Sequence, residues 1–311
     1  MAVELKLHHP WLVAVWPGMG HVAIAGGYYL LAKLGMNLLA EFAPSALFDF
    51  DHVEVSNGLI RMGRLPRSRF FVWIDPKQVR DIVVFIGEAQ PPRGKYEFCR
   101  QLIEYARSLG VERVFTFAAM ATQMHPEHDS RVFGAATDVE SLAELKRLEL
   151  QLLEEGHIGG LNGVLLGVAA ETGIQGTCLL GEMPHIFAQL PFPKASLSVL
   201  KIFTMMANLD IDFTELRQQT RTVDEELGKL LAKVERGFEE GASPEEEEFR
   251  AESADEKALA SEDEQRIEDL FAQAREDRSK AYELKRELDR LNVFAEYENR
   301  FLDLFKKLDE E

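Results

Sequence analysis

Residues 11–31, WLVAVWPGMGHVAIAGGYYLL, constrain this chain more than any other stretch. Five apolar residues from Trp11 to Val15 read as a buried strand, Pro17, Gly18 and Gly20 turn the chain, and His21 to Leu31 continues as an apolar helix. Backbone N–H groups at a helix start lack partners inside the helix and point outward, so a strand that turns on glycines into a helix is a natural ligand loop. The residues leave three uses open. Gly18, Gly20 and Ala23 fit the dinucleotide pattern G-x-G-x-x-A, with Glu41 standing where a ribose-binding acid would lie about 20 residues on. A second use is a phosphate or small-ligand cradle made by Gly18, Met19, Gly20 and His21. In the third, Gly18, Gly20, Gly26 and Gly27 only allow the helix to pack closely on a sheet.

A chain of 311 residues with 46% hydrophobic residues is long enough to bury a large core. The opening MAVELKLHHP has no secretory pattern, and the apolar stretch after it is broken by Pro, Gly and His, so no membrane span is expected. Cys99 and Cys178, only two and far apart, read as free buried thiols in a reducing cytoplasm. The net charge of −18 is uneven. Residues 239–264 carry 12 acids and 2 bases, against 28 and 23 in residues 1–238. No basic stripe is present to neutralise phosphates, which excludes nucleic acid as the expected partner.

Further along, Leu38–Phe42, Gly58–Met62, Arg69–Ile74, Asp81–Ile86, Val111–Phe117 and Thr177–Leu180 read as strands. Helices are expected over Tyr96–Leu109, from an Asp138 cap to Leu148, over Leu161–Thr172 and over Pro193–Leu209. The segment 118–137 between strand and cap reads as a long loop lining a groove or an interface. From Phe213 to Val234, apolar residues recur in steps of three and four, as in a coiled-coil seam. After the acidic stretch the rhythm resumes from Ile267 to Leu308, either as helices folded on their own domain or as packing between subunits.

Candidate chemistry is sparse. Glu88 and Gln90 follow one buried strand and Glu182 another, so two carboxylates could meet above a sheet edge as an acid–base pair. His125, His128 and Asp129 have metal-like composition, but Pro126 interrupts them and no third ligand is evident, so no metal is expected. G-x-S-x-G, H-E-x-x-H and the P-loop pattern are all missing, and no cofactor is expected.

Five stretches in order carry a resemblance: WPGMGHVAIAGGYYLLAKLGM, EAQP at 88–91, HIGGLNGVLLGVAAETGI at 157–174, LLGEMP at 179–184 and PFPKASLSVLKIF at 191–203. Together they resemble the proteasome assembly chaperone 2-like family over roughly residues 10–235. That resemblance implies an α/β fold of the phosphorylase/hydrolase, purine nucleoside phosphorylase-like kind, a mixed and partly barrel-like sheet flanked by helices. It also implies homo-oligomers, and its eukaryotic members imply non-enzymatic work in proteasome assembly. In the phosphorylases a matching glycine loop helps hold phosphate, but their phosphate-clamping arginines and purine-binding acid match no positions here. The expectation is a chaperone-like α/β domain over 1–238, an acidic linker over 239–264 and a helical extension over 265–311. It acts as a homo-oligomer, preferably a trimer, that can also bind another protein. The alternative is an enzyme or sensor for a nucleoside or phosphate ligand at the glycine loop.

Overall fold

The computed structural model describes residues 6–42, 45–50, 53–56, 58–239 and 259–306. Its centre is strand β1 (Trp11–Val15), buried along its whole length. Side chains alternate along a strand, so Trp11, Val13 and Val15 enter one apolar cluster while Leu12 and Ala14 enter a second on the opposite face. After β1 come α1 (Val22–Lys33), β2 (Asn37–Phe42), β3 (Val53–Ser56), β4 (Leu59–Met62), β5 (Ser68–Trp73), β6 (Ile82–Gly87), α2 (Lys95–Ser108) and β7 (Arg113–Thr122). The chain continues through β8 (Val132–Ala136), α3 (Val139–Arg147), β9 (Gln151–Leu152), α4 (Gly160–Glu171), β10 (Gln175–Pro184), α5 (Pro193–Ala207) and α6 (Thr214–Glu239). Last are α7 (Ser261–Glu276), α8 (Ala281–Arg290) and α9 (Phe294–Asp303).

Eight strands form one mixed sheet in the order β2-β5-β6-β1-β7-β10-β8-β9. The central pairs β6–β1, β1–β7 and β7–β10 are parallel, whereas β2–β5, β5–β6 and β10–β8 are antiparallel. Helices α1 and α5 cover one face and α2 and α4 the other, as an all-buried central strand requires. The parallel strands end on a common edge. Antiparallel β5 starts there, with Ser68 level with Gly87, and Phe42 at the end of β2 is level with Ser68. The separate two-stranded hairpin β3–β4, inserted between β2 and β5, therefore leaves from this same edge.

Two differences from the sequence expectation follow from long-range pairing. Strand β7 runs on to Thr122 through Ala118, Ala119 and Ala121, weak strand formers, because it pairs with β10 along all ten residues to Pro184. Half of the segment 118–137 is thus strand, in β7 and β8, and the loop is confined to residues 123–131, which line an open cavity. Asp138 does cap α3, its carboxylate accepting from the Ser141 N–H at 2.8 Å.

The helical rhythm of the C-terminal third is met inside the chain. Leu216 and Leu227 of α6 are buried in the cluster shared with α5, so the heptad-like seam packs on its own domain. Ile267, Leu270, Phe271, Leu284, Leu288, Phe301 and Phe305 are buried with α1. Tyr28 meets Phe294 and Phe301 edge-on, and its hydroxyl donates to Glu298 at 2.5 Å. Tyr29 stands edge-on to Tyr282, and Arg278 donates to the Met36 carbonyl and to Asn37. Among the described residues of the seam, Leu216 and Leu227 pack within the chain while Leu230 stands exposed. Helix α7 begins at Ser261, inside the stretch read as linker, and residues 240–258 lie outside the described residues.

Candidate functional site

The edge where β1, β6, β7 and β10 end carries every sequence candidate, but it does not gather them into one site. Gly18, Met19, Gly20 and His21 lie between β1 and α1. Gly20 has φ +60 and its N–H donates to the Ala188 carbonyl at 3.0 Å, while the His21 N–H donates to the Gly18 carbonyl at 3.0 Å. Two donors an anion would need are already used within the chain. The Gly20 carbonyl accepts from Phe192, so the loop is pinned to the segment leading into α5. Burial, then the nearby Lys285 ammonium, pushes the His21 imidazole below its ordinary value and leaves it neutral near pH 7.

The dinucleotide use fails on topology. Glu41 sits on β2, an edge strand antiparallel to β5 and three places from β1, not on a parallel strand beside it. Its carboxylate lies 3.6 Å from the Arg69 guanidinium.

Gln90 is the residue that ties the edge together. Its amide nitrogen lies 3.5 Å from the Pro17 carbonyl, and its Oε1 accepts from the Leu161 N–H at the start of α4, at 3.1 Å. The start of α4 is thus capped from another loop. Gly163 allows a close approach instead, since a Cβ there would lie 1.9 Å from the Ile158 carbonyl oxygen.

Glu88 and Glu182 do not meet. Their strands β6 and β10 are separated by β1 and β7, about 14 Å of sheet. Each is neutralised locally. Glu88 accepts from Arg64, from the Arg67 N–H at 2.8 Å and from Arg69 at 3.3 Å. Arg69 is itself buried and reaches Asn299 of α9 at 2.7 Å, which couples this edge to the extension.

Glu182 is 1% exposed and takes two hydrogen bonds from Arg131, Nε to Oε2 at 2.6 Å and Nη2 to Oε1 at 2.5 Å. Thr122 Oγ1 adds a third at 2.7 Å. These bonds, Arg131 first, hold its carboxyl below the usual carboxylate range against the opposing effect of burial. The group floors an open cavity of about 380 Å³ shared with Gln123, Met124, His128 and Asp129. The His125 and His128 rings are 5.7 Å apart. Among the described residues, no three His, Cys, Asp or Glu side chains are placed to share a metal ion. The Cys99 and Cys178 thiols are buried, and burial pushes both up to about 12.

The edge's apolar exposure escaped the sequence reading. Met19, Ile186 and Leu190 stand exposed around the glycine loop, and the β3–β4 hairpin exposes Val53, Val55, Ile60 and Met62. The pair Asn57-Gly58, a strong hairpin signal between alternating apolar residues, marks that ribbon in the sequence.

The fold is a three-layer α/β scaffold whose edge acids Glu88 and Glu182 are paired with arginine and whose edge also exposes Met19, Ile186 and Leu190. A family model described as the PAC2 family matches residues 12–231, and the chain belongs to that family. An uncharacterized protein of Methanocaldococcus jannaschii is 27% identical over 232 residues, covering 72% of this chain and 84% of that protein. The crystal structure of Pyrococcus furiosus PbaB, described as an archaeal proteasome activator, is similar with TM-score 0.61 at 25% identity, covering 73% of this chain and 95% of its own. A PAC2 family protein of Streptomyces avermitilis shares the fold, with TM-score 0.61 at 23% identity over 71% of this chain and 95% of its own. Among the described residues no helix is long and apolar enough to cross a membrane.

Replacement of Gly20 by Val is expected to cost about 1–3 kcal/mol, the price of a side chain held in the left-handed region. Its Cβ would meet Met183 Sδ at 2.6 Å, a flexible group that can turn away, so the backbone sets the cost. Urea unfolding of the variant measures it. An unchanged midpoint would show that the loop is not held as described.

Proposed function

We propose that this chain is a non-enzymatic, assembly-chaperone-like protein that binds other proteins through the edge where β1, β6, β7 and β10 end. The observation that carries the reading is the exposed apolar set Met19, Ile186, Leu190, Val55 and Ile60 on that one edge. The proteasome activator among its relatives supports a large protein assembly as the partner class. The reading includes a phosphorylase/hydrolase-like scaffold, a cytoplasmic setting and a homo-oligomer, with a trimer preferred. It also keeps residues 1–238, 239–264 and 265–311 as body, linker and extension. The alternative, a nucleoside or phosphate site at the glycine loop, loses two backbone donors to Ala188 and Gly18.

Native mass spectrometry of protein purified gently from cells that make it tests both readings together. The expected result is a defined oligomer with no stoichiometric small molecule. A retained mass of nucleotide size would overturn the non-enzymatic reading, and a monomer at every concentration would remove the oligomer.

A further inference from the structure

We propose that α9 is a proton-sensitive latch: the Glu298 carboxyl holds it closed on α1 when protonated and loosens it when ionised. The hold of α9 on the body has an apolar and a polar part. Phe301 and Leu302 are buried, and the Phe294 and Phe301 rings meet Tyr28 edge-on. Two consecutive side chains make the polar part. Glu298 accepts from the Tyr28 hydroxyl at 2.5 Å, and Asn299 accepts from Arg69 at 2.7 Å. Tyr28 and Arg69 are each 1% exposed, so both bonds reach into the interior. A helix of 10 residues is marginal by itself in water, so α9 stays formed and seated only while these contacts hold it.

Charge is out of balance along this seam. Glu88, just after β6, pairs with Arg64 and Arg69, and Arg69 also faces Glu41 at 3.6 Å. Three carboxylates, those of Glu41, Glu88 and Glu298, therefore share two guanidiniums. The cation that α8 brings is engaged elsewhere: Lys285 lies over the Tyr28 and Phe294 rings at 5.0 and 4.1 Å and pairs with Asp289 at 2.7 Å. Among the described residues, the Tyr28 hydroxyl is the one hydrogen-bond donor to the Glu298 carboxyl. Burial pushes that carboxyl up, helped by the Glu88 charge and opposed by Tyr28, Arg64 and Arg69. A group raised on closing binds its proton more tightly in the closed state. The hold is thus complete below the unfolded carboxyl value, about pH 4.3, and is lost as pH rises through the higher closed value. Opening uncovers the Tyr28 ring on α1, the helix that follows the glycine loop. The latch needs no partner on the edge, so it stands or falls apart from the docking function.

Hydrogen exchange of the full-length protein, read by mass spectrometry at about pH 4.5 and about pH 8 and corrected for the intrinsic rate, tests the latch. Amides of α9 are expected to lose protection several-fold at the higher pH relative to those of β1 and β7. Glu298→Gln keeps the shape and removes the charge, and is expected to leave α9 equally protected at both. Tyr28→Phe removes the bond that favours the ionised form, and is expected to keep or widen the difference. An α9 whose protection relative to the body does not fall with pH would overturn the latch. A fall that survives in Glu298→Gln would assign it to another carboxyl and overturn it as well, as would a smaller fall in Tyr28→Phe than in the wild type.

Discussion

Truncation after Glu239, which removes α7–α9, is expected to leave a body that melts far below the full-length protein or does not melt cooperatively. The helices do not hang on the domain as an optional assembly tag. They cover α1 and the turn after it, where Tyr28, Tyr29 and Met36 are at most 1% exposed, and Phe305 lies against Phe71 of β5. Leu38 donates its N–H to the Phe305 carbonyl at 2.6 Å, so the last described turn also closes backbone groups at the start of β2. Uncovering three or four large side chains costs on the order of 5 kcal/mol or more at about 25 cal/mol per Å². A domain's whole stability is about 5–15 kcal/mol, so that loss is decisive. The check is a melting curve with a hydrophobic dye: strong dye binding and a lost or steeply lowered transition are expected. A truncated body that keeps its melting temperature would show that α1 is covered by something other than α7–α9. Phe301→Ala is the milder companion, expected to cost about 3–5 kcal/mol because the ring is fully buried between Tyr28, Phe294 and Phe305.

The shared family and the central strands were legible because their signals are local. Trp11–Val15 and, after Asp81, the stretch Ile82 to Ile86 are continuous apolar runs, and a run covered on both faces is what a central parallel strand requires. What stayed hidden depends on partners distant in sequence. The alanines of β7 look like a loop until β10 pairs with them, and the stripe from Ile267 onward fits a partner subunit as well as α1. For the candidate site, the sequence located the edge but not its wiring. Glu88 and Glu182 both stand there, yet only the strand order shows two strands between them. The arginines that quench them, Arg69 on the neighbouring β5 and Arg131 just before β8, carry no motif. Gln90 was visible as part of EAQP, but its reach to both Pro17 and Leu161 is a fact of tertiary structure.

Arg131→Leu is expected to lower the urea midpoint at pH 7, and the deficit is expected to shrink as the solution is acidified. Breaking a fully buried pair costs about 3–5 kcal/mol because the abandoned charge stays buried. The Arg131 side chain is 54% exposed, so water can reach its place and the cost falls below that range. In the intact protein the Glu182 carboxyl is held below its unfolded value, chiefly by the Arg131 bonds. Its contribution is therefore present above about pH 4.3, the unfolded carboxyl value, and is lost as pH falls through the lower folded one. Without the Arg131 guanidinium the chief cause of that lowering is gone, leaving burial opposed by Thr122 and the backbone at residue 131, so the variant has less to lose as the carboxyl is protonated. Urea midpoints of the wild type and Arg131→Leu at pH 7 and pH 4 should consequently converge at the lower pH. Glu182→Gln added to Arg131→Leu should recover part of the loss at pH 7, because the buried carboxylate is gone. A deficit independent of pH, or a double variant weaker than the single one, would mean that Arg131 acts through packing over the Phe133 ring, 5.5 Å away, and not through the charge on Glu182.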